Sequence, residues 1–130
     1  MPPVKPSDME MQVLSVLWDA GPLTARDVLE RLPDKKDRAY TTVLSIMQVM
    51  EKKGLLTHSI DGRANVYKPA VTRKQVIKPF MRSLVQNVFG GSPARALQHL
   101  LEDETVDANQ LAAIRELIDK HDPGDGGAKQ

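Results

Sequence analysis

The chain has 130 residues, which is enough for one domain of ordinary size or for a small domain with an appendage. It has no cysteine, which excludes disulfides, thiolate metal sites and cysteine nucleophiles. The net charge is +1. We find no signal peptide and no apolar run near the roughly 20 residues that a transmembrane helix needs. We therefore expect a cytoplasmic protein without a membrane partner.

Two capped helices are predicted at the start of the chain. Ser7 and Glu10 form a capping box, and an apolar stripe at helical spacing follows until Gly21-Pro22. Thr24 is placed to cap a second helix, which Pro33 ends. A short charged linker after Pro33 then suits the turn between two helices.

A third helix is predicted from Ala39 to Lys53, although Asp37 is an alternative cap. Polar side chains recur at i, i+4, i+7 and i+11, and therefore share one face. These side chains are Thr41, Ser45, Gln48 and Lys52. By itself this face is typical of an ordinary solvated helix, and only its context favours a surface that reads DNA.

A hairpin follows, with strands predicted over Leu55 to Ile60 and Ala64 to Lys68. Asp61-Gly62 between them suits a type I′ turn, whose two central residues need positive φ. Three helices and a hairpin form the winged-helix order, in which the third helix enters the major groove. Arg63 would lie at the hairpin tip, where a cation can reach phosphate or the minor groove.

The charge is unevenly distributed along the chain. The net charge is −3 over residues 1–34, +4 over 35–68, +4 over 69–92 and −4 over 93–130. A basic middle segment suits phosphate binding, because nonspecific affinity for DNA grows with the number of phosphates neutralised. Chance clustering of solvated charges is the alternative interpretation.

Three more helices are predicted after the hairpin, opened by Thr72 with Gln75, by Ser92-Pro93 and by Asp107. Pro79 lies inside the first of them and predicts a kink or a late start. Their apolar faces have little to pack against in one chain, so we expect them to close on a second copy, with packing onto the winged helix as the alternative. The expected dimerisation residues are Phe80, Leu84, Leu97, Leu101, Leu111, Ile114 and Ile118.

These patterns together predict a mainly α protein with a small β-hairpin. A winged helix-turn-helix would occupy residues 7–70, and a helical dimerisation domain would occupy residues 71–121. The Gly-rich polar residues 122–130 would form a disordered tail.

Four motifs together resemble the penicillinase-repressor family (BlaI/MecI/CopY type), namely Leu23–Leu29, Ala39–Val43, Met50–Leu56 and Gly62–Tyr67. The Phe89–Ser92 step and the closing acidic helix also resemble the dimerisation domain of that family, so the resemblance covers roughly residues 7–121. The resemblance implies a dimeric winged-helix repressor that occupies a palindromic DNA operator with TACA/TGTA-type half-sites.

The resemblance also implies roles for individual side chains of the third helix and hairpin. Bases or nearby phosphates would be contacted by Thr41, Thr42, Ser45 and Gln48. The DNA backbone would be held by Tyr40, Lys52 and Arg63. Threonine methyls can touch thymine and glutamine can bond adenine in a bidentate manner, so these residue types suit the implied roles.

Two departures from the family concern the signal that releases DNA. Copper-responsive members carry a C-terminal cysteine cluster, which is missing here, and β-lactam-responsive members are cleaved at an Asn-Phe bond. The matching region reads Leu97-Gln98-His99-Leu100. Cleavage by a protease elsewhere, a small inducer in the dimer interface and release by a partner all remain open.

Two other function classes are less favoured by the sequence. A winged helix used as a protein-interaction module has no need of the basic segment. An enzyme is disfavoured because His58, His99 and His121 lie in different elements without nucleophile–base or metal-ligand spacing. We therefore expect no catalytic residue, no metal site and no cofactor.

Overall fold

The computed structural model describes residues 6–33 and 35–121, so the predicted tail at 122–130 and Asp34 of the charged linker lie outside the described residues. The elements are α1 (Asp8–Ala20), β1 (Leu23–Thr24), α2 (Ala25–Arg31), a 3₁₀ turn (Lys35–Asp37), α3 (Tyr40–Lys52), β2 (Leu56–Asp61), β3 (Ala64–Pro69), α4 (Arg73–Val88), α5 (Pro93–Leu101) and α6 (Ala108–His121). This order confirms the predicted class, mainly α with a small antiparallel sheet, in a winged-helix arrangement.

The first two helices begin at the predicted caps. The Ser7 hydroxyl accepts a hydrogen bond from the Glu10 N–H at 3.2 Å, and the Glu10 carboxylate accepts one from the Ser7 N–H at 3.0 Å. The same carboxylate accepts a hydrogen bond from the Lys53 ammonium at 2.8 Å. In α2, the Thr24 hydroxyl accepts a hydrogen bond from the Asp27 N–H at 3.2 Å. The N-terminal ends of α1 and α2 are therefore determined by local side chains.

The third helix begins at Tyr40 with Ala39 as its N-cap residue, which decides between the two predicted starts. Asp37 lies in the preceding 3₁₀ turn. Ala39 has the extended backbone of a cap residue but makes no side-chain hydrogen bond. The start of α3 therefore depends on packing of its apolar face rather than on a capping side chain.

The sheet has three strands in the order β1-β3-β2, all antiparallel. Leu23 and His58 flank Tyr67 of the central strand on its two sides. The hairpin strands lie within one residue of their predicted bounds, but the sequence did not reveal β1. A strand of two residues is too short to show any periodicity.

The hairpin turn differs from the prediction. Asp61 pairs with Ala64, so the central turn residues are Gly62 and Arg63. Gly62 has a φ of 67°, whereas neither Asp61 nor Arg63 has a positive φ. The predicted type I′ turn at Asp61-Gly62 is therefore wrong, and one positive φ at the first central residue matches type II′. Glycine takes the only position that requires a left-handed backbone, because it has no Cβ to clash there.

One core is formed by α1, α2, α3, the hairpin and the first turn of α4. Its largest members are Leu14, Leu17, Met47, Met50, Leu55, Leu56 and Tyr67, all fully buried. Val76 of α4 belongs to the same core and is 5% exposed. The Trp18 indole donates a hydrogen bond to the Val71 carbonyl at 2.9 Å, and Arg73 forms an ion pair with Asp19 at 2.8 Å. These contacts tie the start of α4 to α1.

The chain divides into two compact units between Arg82 and Ser83, inside α4. Thr72 and Gln75 exchange two capping hydrogen bonds, of 2.8 and 3.0 Å, at the start of α4. Of the two alternatives predicted from Pro79, the late start is therefore wrong, since this cap starts the helix before the proline, and the kink stays a prediction. The predicted domain limits, 7–70 and 71–121, stay a prediction.

The second unit contains two helices with the predicted caps. The Ser92 hydroxyl accepts a hydrogen bond from the Arg95 N–H at 3.2 Å, and the Asp107 carboxylate accepts one from the Gln110 N–H at 2.9 Å. Within the described part of this unit, residues 83–121, no side chain is buried. Across the described residues, no helix is both long and apolar enough to cross a membrane.

Candidate nucleic-acid interface

The two faces of α3 have opposite character. Val43, Met47 and Met50 are buried in the core, so the helix cannot rotate about its axis without exposing them. The opposite face carries the exposed side chains Thr41, Thr42, Ser45, Gln48 and Lys52. The predicted polar stripe therefore lies on the outside of the winged helix, where hydroxyl, amide and ammonium groups are accessible to a large ligand.

Val49 is the exposed apolar residue of this face. It is 45% exposed, whereas Met47 and Met50, on the inner face of the helix, are buried. From the sequence, Val49 borders the polar stripe, but it was not among the predicted DNA-binding residues. Val49 lies one helical turn after Ser45 on this face, and its methyls are suited to contact a thymine methyl.

Tyr40 lies at the start of α3, and its ring is half-buried. The guanidinium carbon of Arg26, on α2, lies 4.4 Å from the centroid of this ring. Stacking of this kind is favourable and holds a long cationic side chain in one place. Arg26 was not among the predicted DNA-binding residues, since the contact joins two successive helices and no local pattern indicates it.

A groove of about 350 Å³ lies between α2, α3 and the hairpin. Three of the predicted DNA-binding residues meet there, namely Tyr40, Gln48 and Arg63. Arg26 and Asn65 also line it, and neither was predicted. The described residues that line the groove include no carboxylate, so its polar surface is made of cationic, amide and hydroxyl groups.

His58 contacts side chains of the winged helix itself, which favours a structural role. Its Nδ1 lies 2.7 and 2.8 Å from the two carboxylate oxygens of Glu51, and its ring centroid lies 5.5 Å from that of Tyr67. The pair links the end of α3 to β2, at an exposed site where such pairs contribute at most about 1 kcal/mol. Among the described residues, no cluster of three or more histidine, aspartate or glutamate side chains could hold a metal ion.

The predicted dimerisation residues lie in both units. Phe80 is half-buried and belongs to the N-terminal unit. The other six belong to the C-terminal unit and are half-buried or exposed, namely Leu84, Leu97, Leu101, Leu111, Ile114 and Ile118. Further exposed apolar residues on the same helices are Val88, Leu100 and Leu117.

The family model described as "Penicillinase repressor" matches residues 6–120. The chain belongs to the penicillinase repressor family. It is 35% identical over 121 residues to the transcriptional regulator BlaI of Mycobacterium tuberculosis, covering 92% of this chain and 86% of the relative. It is 22% identical over 115 residues to the penicillinase repressor of Bacillus licheniformis, covering 88% and 90% respectively.

A solved structure of the DNA-binding domain of the repressor BlaI is 26% identical and overlaps 58% of this chain and 93% of that chain, with a TM-score of 0.49. Penicillinase repressor family members are transcriptional repressors and not enzymes. This member is accordingly a DNA-binding transcriptional repressor.

Proposed function

We propose that the protein represses transcription as a homodimer that places α3 of each copy in the major groove of a palindromic operator. The observation that carries this proposal is the exposed polar face of α3, next to a groove lined by Arg26 and Arg63. An amphipathic helix with a buried inner face is held rigidly enough to read base edges.

The side chains of α3 and the hairpin divide into two roles. Thr41, Thr42, Ser45 and Gln48 contact bases or nearby phosphates, because they project from the exposed face of α3. Tyr40, Lys52 and Arg63 hold the DNA backbone and set the orientation of the helix. The net charge of +4 over residues 35–68 supports binding to a polyanion.

Homodimerisation is supported by the exposed apolar surface of the C-terminal unit. Residues 83–121 have no buried side chain within the unit, while Val88 is 64% exposed and Leu100 is 57% exposed. Several large apolar side chains exposed on the same helices favour a protein–protein interface there. Two-fold dimers are the commonest oligomers, and their symmetry matches that of a palindromic DNA site. The protein would act in the cytoplasm, where operator DNA lies.

The first test is selection of bound fragments from the source genome, followed by binding titrations on the enriched sequence. We expect one enriched inverted repeat whose half-sites are about one helical turn, or a multiple of it, apart. Enrichment without any shared sequence would contradict sequence-specific repression, and enrichment of a single unrepeated half-site would contradict the palindromic operator.

A second test concerns Gln48. We expect Gln48→Ala to relax the preference at one base position of each half-site by about tenfold. The substitution removes an amide that can make two hydrogen bonds to a base from the exposed polar face of α3. The measurement is a binding titration on operators substituted at every position. Gln110→Ala, the same change on an exposed residue of α6, is the matched control. An unchanged specificity profile for Gln48→Ala would refute its role as a base reader.

A further inference from the structure

The groove beside the reading face has an arginine on each of two walls. Arg26 is on α2 and Arg63 follows Gly62 at the hairpin tip, and both line the cavity of about 350 Å³. Both side chains are exposed, and between them the lining includes Gln48 and Asn65. Two guanidinium groups facing one groove without a carboxylate among its described lining residues make a site for a single anion with several acceptor oxygens.

The contact between Arg26 and Tyr40 prepares this site for its ligand. The guanidinium carbon lies 4.4 Å from the ring centroid, so the ring of Tyr40 contacts the cation of Arg26. A guanidinium stacked on an aromatic ring keeps its N–H edge available to donate in its own plane. An arginine held in this way loses less conformational entropy on binding than one that moves freely.

We propose that Arg26, from α2, and Arg63, from the hairpin tip, bind the same DNA backbone phosphate in the groove. The proposal rests on the proposed function and adds Arg26, together with the amide of Asn65, to the DNA-binding surface. Arginine suits this role because its planar fork matches two phosphate oxygens.

The first experiment measures operator affinity of Arg26→Ala at several salt concentrations. We expect affinity to fall about tenfold, equally for all operator variants, and the slope of log affinity against log salt to decrease by about 1. Arg31→Ala is the matched control, because Arg31 is on the same helix but lines a different cavity, beside α1. The control is expected to bind like the unchanged protein.

The second experiment asks whether both arginines bind one phosphate. Each phosphate of a half-site is replaced in turn by an uncharged methylphosphonate. At one position we expect the unchanged protein to lose the most binding and each of Arg26→Ala and Arg63→Ala to lose less, because one arginine still contacts that phosphate. The double variant Arg26→Ala/Arg63→Ala should lose nothing further there. Circular dichroism of each variant, with Arg26→Gln as a second substitution, separates a local effect from loss of fold.

Three outcomes are informative. Binding by Arg26→Ala and Arg26→Gln that equals binding by Arg31→Ala overturns the proposal. If the loss is reduced at one phosphate for Arg26→Ala and at a different phosphate for Arg63→Ala, the shared site is overturned. If the unchanged protein prefers no DNA sequence, the proposed function itself fails, and this result is distinct from the other two.

Discussion

Glu10 is a buried carboxylate that connects the cap of α1 to the end of α3. It is 5% exposed, and its Oε2 lies 2.8 Å from the Lys53 ammonium. Burial raises the pKa of Glu10, but the hydrogen bonds from Lys53 and from the Ser7 backbone, together with the charge of Lys53, outweigh it, so the pKa lies below its ordinary value. The ionised form is therefore favoured by folding.

A depressed folded-state pKa makes a definite prediction about acid stability. The contribution of Glu10 is fully present above its unfolded pKa and is lost as the pH falls through the lower folded pKa. We expect Glu10→Gln to reduce the free energy of unfolding by about 1 kcal/mol at pH 7, since it removes a charged hydrogen bond to a half-exposed partner. The difference from the unchanged protein should shrink below the ordinary glutamate pKa.

Urea unfolding at a series of pH values measures this difference. Asp8→Asn makes the same acid-to-amide change in the same helical turn on an exposed side chain, and serves as the control. A constant difference between Glu10→Gln and the unchanged protein from pH 7 to strongly acidic conditions would show that the ion pair is not the cause.

At the scale of the element, α3, the proposed reading helix, has no capping side chain. Ala39 has φ −86° and ψ 144°, which is the backbone that a serine cap adopts. We expect Ala39→Ser to raise the free energy of unfolding by about 1 kcal/mol, because its hydroxyl can accept a hydrogen bond from an unpaired N–H of the first turn. The measurement is urea unfolding followed by circular dichroism.

The control for this element is Ala39→Val, which enlarges the same exposed residue without adding an acceptor. We expect it to give no gain in stability, since valine is a poor cap. Equal stabilisation by serine and valine would mean that side-chain volume, and not a capping hydrogen bond, limits the stability of α3.

At the scale of the whole molecule, the C-terminal unit is expected to supply dimer contacts. Ile118 is 52% exposed on α6. We expect Ile118→Lys to give a monomer by sedimentation and to weaken operator binding about a hundredfold, because two linked half-site contacts become independent. Burying a charged lysine side chain in an apolar interface removes its hydration and therefore destabilises the dimer.

Gln110→Lys introduces the same charge on an exposed polar residue of the same helix, and should remain dimeric. Trp18 is the only tryptophan and lies in the N-terminal unit, so its fluorescence reports whether the winged helix stays folded. A folded Ile118→Lys variant that still sediments as a dimer would exclude α6 from the interface.

The helices, the starts of the five capped ones and the exposed face of α3 could be predicted from the sequence. Capping joins residues three apart, as in Ser7 with Glu10 and Thr72 with Gln75, and the face of a helix follows from its period of 3.6 residues. The winged-helix class and the family motifs were predictable for the same reason, since both depend on short segments in a set order. The contacts of Thr41, Ser45 and Gln48 with DNA stay a prediction.

Only the tertiary structure decided which distant residues meet. The pairing of Leu23 with Tyr67, the ion pair of Glu10 with Lys53 and the stacking of Arg26 on Tyr40 each join segments that no local pattern connects. The groove beside α3 exists because helix packing and strand register bring three elements together. Local sequence thus determined the exposed polar face of α3, whereas packing placed Arg26 in the groove beside it.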